Sequence, residues 1–312
     1  MNEKILGLHH ITAIAGNAQR NYDFYTKVLG LRLVKRTVNF DDPGTYHFYY
    51  GDEKGTPGTI LTFFPWENIG RGNIGTGMAT EIGYSVPEGS LDFWENRFKQ
   101  FNVSYGTRGE RFEELFLPFK DPDGLNINLI VSKKDDKRKP WTTSEIDIAT
   151  ATKGFHNVTL MLNKKDDTEK ILIDIFGYRF LSQEGNRYRY ITDAVEEASI
   201  IDIVESPESR RGTTAGGTNH HIAFRVADEN TQMVFRDKLV REYLQVTPKI
   251  NRDYFYSIYF REPGGVLFEI ATENPGFTVD EPLSELGMHL KLPEQYENVR
   301  ADIEKALPVL QY

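Results

Sequence analysis

The sequence predicts an α+β protein built from four βαβββ modules, paired into two half-open barrels with the helices outside. Three observations carry that prediction. One strand, helix and strands rhythm recurs four times, two of the recurrences open on a His-His pair, and equivalent positions in the two halves keep offsets of 147, 140 and 141 residues. A single unit is too small to bury its own sheet, so units must pair and curl their strands into a cup.

The first unit opens with the strand-like run Leu8 to Ile14 and continues into a helix from Asn17 to Val28, where Tyr22, Phe24, Tyr25 and Val28 share one face. Gly30 ends that helix, and three strands follow at Leu31 to Val38, Thr45 to Tyr50 and Thr59 to Phe64. The second unit runs from Thr80 to Val86 through a helix at Leu91 to Gln100, and finishes at Pro122 to Leu129. The third begins at Gly154, with a helix at Thr168 to Phe176 closed by Gly177. The fourth begins at Asn219, with a helix near Asn230 to Glu242, and ends in Pro263 to Ile270. Lys133 to Pro140, charged and closed by proline, reads as a solvated linker. The chain thus divides into an N-terminal domain, 1–140, and a C-terminal domain, 150–275, each of two modules, with a tail, 276–312, that carries a short helix at Glu294 to Lys305 and no legible task.

Composition excludes several functions. With 39% hydrophobic, 27% charged and 12% aromatic residues, the chain is neither disordered nor fibrous. A net charge of −9 repels phosphate backbones and anionic membranes, so nucleic acid is not an expected partner. No apolar segment reaches the ~18 residues of a membrane span, none follows the Met1-Asn2-Glu3-Lys4 start as a leader would, and a cytoplasmic site is the expectation. The absence of cysteine removes disulfides and thiolate ligands together, leaving imidazole and oxygen for any metal.

Histidine carries the chemistry. Four of the seven stand in the pairs His9-His10 and His220-His221, at the same place in the first strands of units one and four. Alternation puts His220 with Ile222, Phe224 and Val226 on an apolar face, and His221 with Ala223 and Arg225 on the cup face. In the last strand Val266, Phe268 and Ile270 form the apolar set, which turns Glu269 into the cup, and by equivalence His10 takes the place of His221 in unit one. Two imidazoles and a carboxylate on one face of a metal leave about three open positions, as in non-haem Fe(II) oxygenases. Aligning Pro57-Gly58-Thr59 with Pro263-Gly264-Gly265 sets Phe63 opposite Glu269, where it cannot ligate and would keep those positions vacant. The middle units offer only Asn157, Glu81 and Asn128 at matching places and predict a second cup without metal. His47 and His156 are read as packing residues and His289 as a residue of the tail; neither a glycine-rich phosphate loop nor a serine elbow is present.

These residues resemble the vicinal oxygen chelate superfamily, which includes glyoxalases, bleomycin-resistance proteins and extradiol dioxygenases. More closely, Leu8 to Thr12, Asn21 to Tyr25, Leu29 to Lys35 and Asn219 to Phe224 are similar to hydroquinone-type ring-cleaving dioxygenases, over about residues 5–275. The resemblance implies an Fe(2+) enzyme of aromatic-compound degradation and detoxification, with Mn2+ or another divalent metal as a substitute, that inserts both atoms of O2 beside a hydroxyl of an aromatic diol. It implies His10, His221 and Glu269 as metal ligands, His9, His220, Arg252 and Tyr259 as catalytic neighbours, and Thr12, Arg252 and Tyr259 as substrate contacts. Hydroquinone versus catechol stays open, as does homo-oligomer formation. Two rivals remain: a glyoxalase-like divalent-metal isomerase, lyase or thiol transferase, and a resistance protein that binds an aromatic compound without catalysis.

Overall fold

The computed structural model describes residues 3–312. Unit one consists of β1 (Leu8–Ala15), α1 (Ala18–Asp23) with a wide turn at Phe24–Val28, β2 (Arg32–Asn39), β3 (Asp42–Gly51) and β4 (Ile60–Pro65). Asn17 caps α1 by accepting from the Arg20 amide, and Gly30, at φ +68°, supplies the left-handed residue that ends the helical stretch. Unit two contains β5 (Met78–Val86), α2 (Leu91–Gln100), β6 (Gly109–Arg111), β7 (Glu114–Lys120) and β8 (Asn126–Val131). Unit three contains β9 (Gly154–Leu162), α3 (Asp166–Lys170), a second wide turn at Ile171–Ile175, β10 (Arg179–Glu184), β11 (Arg187–Ile191) and β12 (Ile200–Glu205). The same widened turn at the same place in units one and three supports duplication of the half-chain. Unit four comprises β13 (Thr218–Val226), α4 (Glu229–Arg241), β14 (Ile250–Asn251), β15 (Phe255–Arg261) and β16 (Leu267–Pro275). The predicted α+β class and four βαβββ modules are those of the structure.

The modules pair across the chain. One eight-stranded sheet runs β14-β15-β16-β13-β1-β4-β3-β2 and the other β10-β11-β12-β9-β5-β8-β7-β6. Unit one thus joins unit four through antiparallel β1 and β13, and unit two joins unit three through β5 and β9. Neither 1–140 nor 150–275 closes a cup of its own, which corrects the division into two sequential domains: the same rhythm permits either pairing, and the free edges of β1 and β13 meet each other. The convex faces carry the core. Ile222, Phe224, Val226, Phe268 and Ile270 are fully buried, with Phe235 and Leu239 of α4 also in the core and the Phe176 ring 4.7 Å from that of Phe224.

Two segments differ from their sequence expectations. The stretch 133–140 is pinned rather than merely solvated, because Arg138 donates to the carbonyls of Gly58 and Phe155 at 3.1 and 2.9 Å. The tail, with α5 at Arg300–Ala306 behind a tight turn at Glu294–Val299, braces unit one. Lys35, fully buried, meets Glu281 and Asp280 of the tail at 2.5 and 2.6 Å, and the Tyr296 hydroxyl donates to the Phe40 carbonyl at 2.7 Å.

Candidate metal centre

His10 from β1, His221 from β13 and Glu269 from β16 converge on the concave face of the first sheet. Their Nε2 atoms lie 3.3 Å apart, and 3.3 and 2.9 Å from Glu269 Oε2. Three donors ~2.1 Å from one ion and at right angles to each other stand about 3.0 Å apart, so the spacing suits a shared ion. Glu269 is fully buried, yet Oε2 accepts no well-directed hydrogen bond, whereas Oε1 accepts one from the Ser257 hydroxyl at 2.5 Å. A buried carboxylate oxygen without a hydrogen-bond partner, set between two imidazole nitrogens, is a donor set that a divalent cation satisfies. The residues therefore fit a divalent metal ion.

The electrostatics agree. Burial pushes His221 down, keeping the imidazole neutral and able to ligate. Burial would raise Glu269, but His10 and His221 outweigh it and hold the carboxyl well below its ordinary value. Each ligand ring is also braced. His10 Nδ1 lies 2.9 Å from His9 Nδ1, and His221 Nδ1 lies 2.8 Å from His220 Nδ1. If both ligands present the Nε2 lone pair, each Nδ1 carries hydrogen and donates to its neighbour, so His9 and His220 carry theirs on Nε2.

In front of the three residues lies a cavity of about 360 Å³ with aromatic walls that include Phe64, Trp66 and Phe255. His220, Arg252 and Tyr259 reach it, with Arg252 Nε donating to the Tyr259 hydroxyl at 3.3 Å. His9 and Thr12 do not. The His9 ring stands behind His10, 5.0 Å from Phe255, because a register shift between Leu8 and His10 swings it round, so it can act only through His10. Thr12 is fully buried, its hydroxyl 2.8 Å from His221 Nε2 and 2.8 Å from that of Thr62.

The position equivalent to Glu269 in unit one is Thr62, not Phe63. β1 pairs Thr12 with Thr62 as β13 pairs Ala223 with Glu269, while Phe63 packs into the core beside Tyr25. A one-residue error in register exchanges the two faces of a strand. His47, read from sequence as packing, lines the cavity. Its signal was available: Tyr46, Phe48 and Tyr50 are the core set of β3, which turns His47 and Tyr49 the other way.

In the second sheet guanidinium groups fill the matching ground. Arg111 and Arg187 meet Glu81 at 2.6 and 3.0 Å, and Arg189 and Asn157 donate to Asp202. A larger hollow of about 640 Å³ opens in that sheet beside His156 and Glu114, away from the three converging residues. His289 is exposed in the tail near Glu285.

Residues 7–71 match the family described as the Glyoxalase/Bleomycin resistance protein/Dioxygenase superfamily. The chain is 46% identical over 98% of its length to 97% of MhqO of Bacillus subtilis (strain 168), whose name gives ring-cleaving dioxygenase as a provisional activity. It is 35% identical, over 98% of its length and 97% of the relative's, to the Chlorohydroquinone/hydroquinone 1,2-dioxygenase of Sphingobium indicum. A crystal structure from Bacillus subtilis subsp. subtilis str. 168 superposes with a TM-score of 0.95 at 45% identity, covering 99% of this chain and 98% of that one. Likeness along the whole length, on a fold of four curled units, places this chain in the glyoxalase, bleomycin-resistance and dioxygenase superfamily, among relatives that bear ring-cleaving dioxygenase names.

Proposed function

We propose that the chain is an Fe(II)-dependent dioxygenase that opens the ring of a hydroquinone-type aromatic diol. The carrying observation is the convergence of His10, His221 and Glu269, with Oε2 orphaned, at the floor of an aromatic-walled cavity. Two imidazoles and one carboxylate on one face suit Fe(II) and leave room for two further reactants. The names borne by the full-length relatives favour the same reading.

A bound Fe(II) would hold a phenolate and O2 in contact and pass electrons between them. The chain's own groups do the rest. Phe64, Trp66 and Phe255 flank a planar ring and keep bulk water from it. Arg252, held over the Tyr259 ring, balances negative charge on the substrate, and Tyr259 can hydrogen-bond a ring oxygen. When His221 ligates through Nε2, its Nδ1–H donates to His220, whose own hydrogen then sits on Nε2 as a donor at the cavity wall. Thr62 in the fourth symmetric place supplies a hydroxyl instead of the carboxylate or imidazole a four-ligand isomerase site would use.

The test is anaerobic loading with Fe(II), then oxygen-electrode assays with hydroquinones and catechols. Wild type should consume one O2 per ring opened, and Glu269→Gln should lose at least about a hundredfold in rate. Equal uptake by the variant would reject the assignment, and ring binding without metal or uptake would favour sequestration.

A further inference from the structure

Ser257 stands on β15, on the same face as Tyr259, and Tyr259 is paired with Glu269 of β16. The Ser257 hydroxyl donates to Glu269 Oε1 at 2.5 Å, a length typical of a hydroxyl bonded to an ionised carboxylate. Both side chains are fully buried, and Ser257 does not line the cavity. It can reach the chemistry of the site only through the carboxylate it holds.

The duplication marks this position as one with a task. Tyr49 pairs with Thr62 as Tyr259 pairs with Glu269, so His47 is to unit one what Ser257 is to unit four. His47 Nε2 lies 2.9 Å from Thr62 Oγ1. In both units this position is bonded to the side chain that the last strand presents, although the residue types differ. Thr62 Oγ1 is held a second time, by the Thr12 hydroxyl at 2.8 Å. The nearby oxygens that could add a fourth protein donor, Glu269 Oε1 and the hydroxyls of Thr12 and Thr62, are therefore engaged. Oε2, without a hydrogen-bond partner, is the one left to face the imidazoles.

A carboxylate binds a cation through one oxygen or through both. Bound through one, it completes three protein donors and leaves about three positions on a six-coordinate ion; bound through both, it leaves about two. A catechol-type diol would fill both of those with its adjacent oxygens and leave no place for O2. We propose that Ser257 is a positioning residue that confines Glu269 to one oxygen and keeps open the position the other would take. Its bond to Oε1 must break before that oxygen can turn to an ion, and the buried hydroxyl has no water to replace the lost acceptor. The inference rests on the metal reading of the three residues and deepens the dioxygenase reading.

Mn(II) is the probe, because the broadening of its electron-spin resonance by water enriched in the magnetic oxygen isotope counts the waters bound to it. Wild type should hold about three waters, Ser257→Ala about two, and Ser257→Thr, which keeps the hydroxyl, about three again. Each protein should take up the same amount of Mn(II). In Fe(II) protein Ser257→Ala should lose about tenfold to a hundredfold in O2 uptake, and Ser257→Thr should recover most of it. An unchanged water count in Ser257→Ala, a count already reduced in wild type, a Ser257→Thr that fails to restore it, or a Ser257→Ala that no longer takes up Mn(II) would each overturn the role. A wild type with the full count that consumes no O2 with any diol would sink the dioxygenase reading and leave Ser257 standing, whereas one that takes up no Mn(II) would sink both.

Discussion

Glu269 has no solvent exposure, and its neighbours are two imidazoles that are themselves locked by imidazoles. A ligand fixed through its second nitrogen binds metal more tightly, and loss of such a partner typically costs tenfold to a hundredfold in affinity. His9→Phe and His220→Phe should each weaken Zn(II) binding by about that factor in competition with a chelating indicator. Unchanged affinity would mean the braces are packing only. The convergence of His10, His221 and Glu269 was legible, because alternation along a strand leaves one member of each histidine pair for the cup. The braces were not, since neighbours on an ideal strand point apart and the β1–β13 pairing shifts register at each pair, past His9 between Leu8 and His10 and past His220 between His221 and Asn219. Phe63 and Thr62 show the same limit: an alignment on turn residues slips by one place, and with it the face.

At the scale of elements, β7, β9 and β11 of the second sheet share a buried network. Glu114 meets His156 at 2.9 Å and Arg189 at 2.5 Å. Burial opposes its charge, but those two partners prevail and hold the carboxyl at about 2, against an ordinary 4.5. A depressed folded-state value gives stability that is complete above the ordinary value and is lost as pH falls through the folded one. Urea unfolding should therefore find Glu114→Gln about 3 kcal/mol less stable than wild type at neutral pH, with the gap narrowing below about pH 4.5 and closing toward pH 2. A gap independent of pH would remove the charge from the account. The strands and helices of this sheet were readable from their periodicity, but the choice of partner was not. Units one and two have the same pattern of faces as units one and four, and only the meeting of edges decides.

For the whole molecule, the tail is the part that sequence left blank. It has no repeating face to read, because it is held by single contacts: Lys35 to Glu281, the Tyr296 hydroxyl to Phe40, and the Tyr46 hydroxyl to Pro308. Those contacts reach the β2–β3 connection whose Phe40 and Asp41 line the cavity. Glu281→Gln should destabilise the fold by about 1–3 kcal/mol in chemical denaturation, since buried Lys35 would keep only Asp280 as an ionic partner, while Lys35→Met combined with Glu281→Leu should cost less. Equal losses would show that volume, not charge, matters there. Pairing the first unit with the last also sets an order of events in the cell. His10 leaves the ribosome 211 residues ahead of His221, so a chain still being synthesised lacks the three-residue cluster until the closing strands emerge, and a product ended before Glu269 never assembles it.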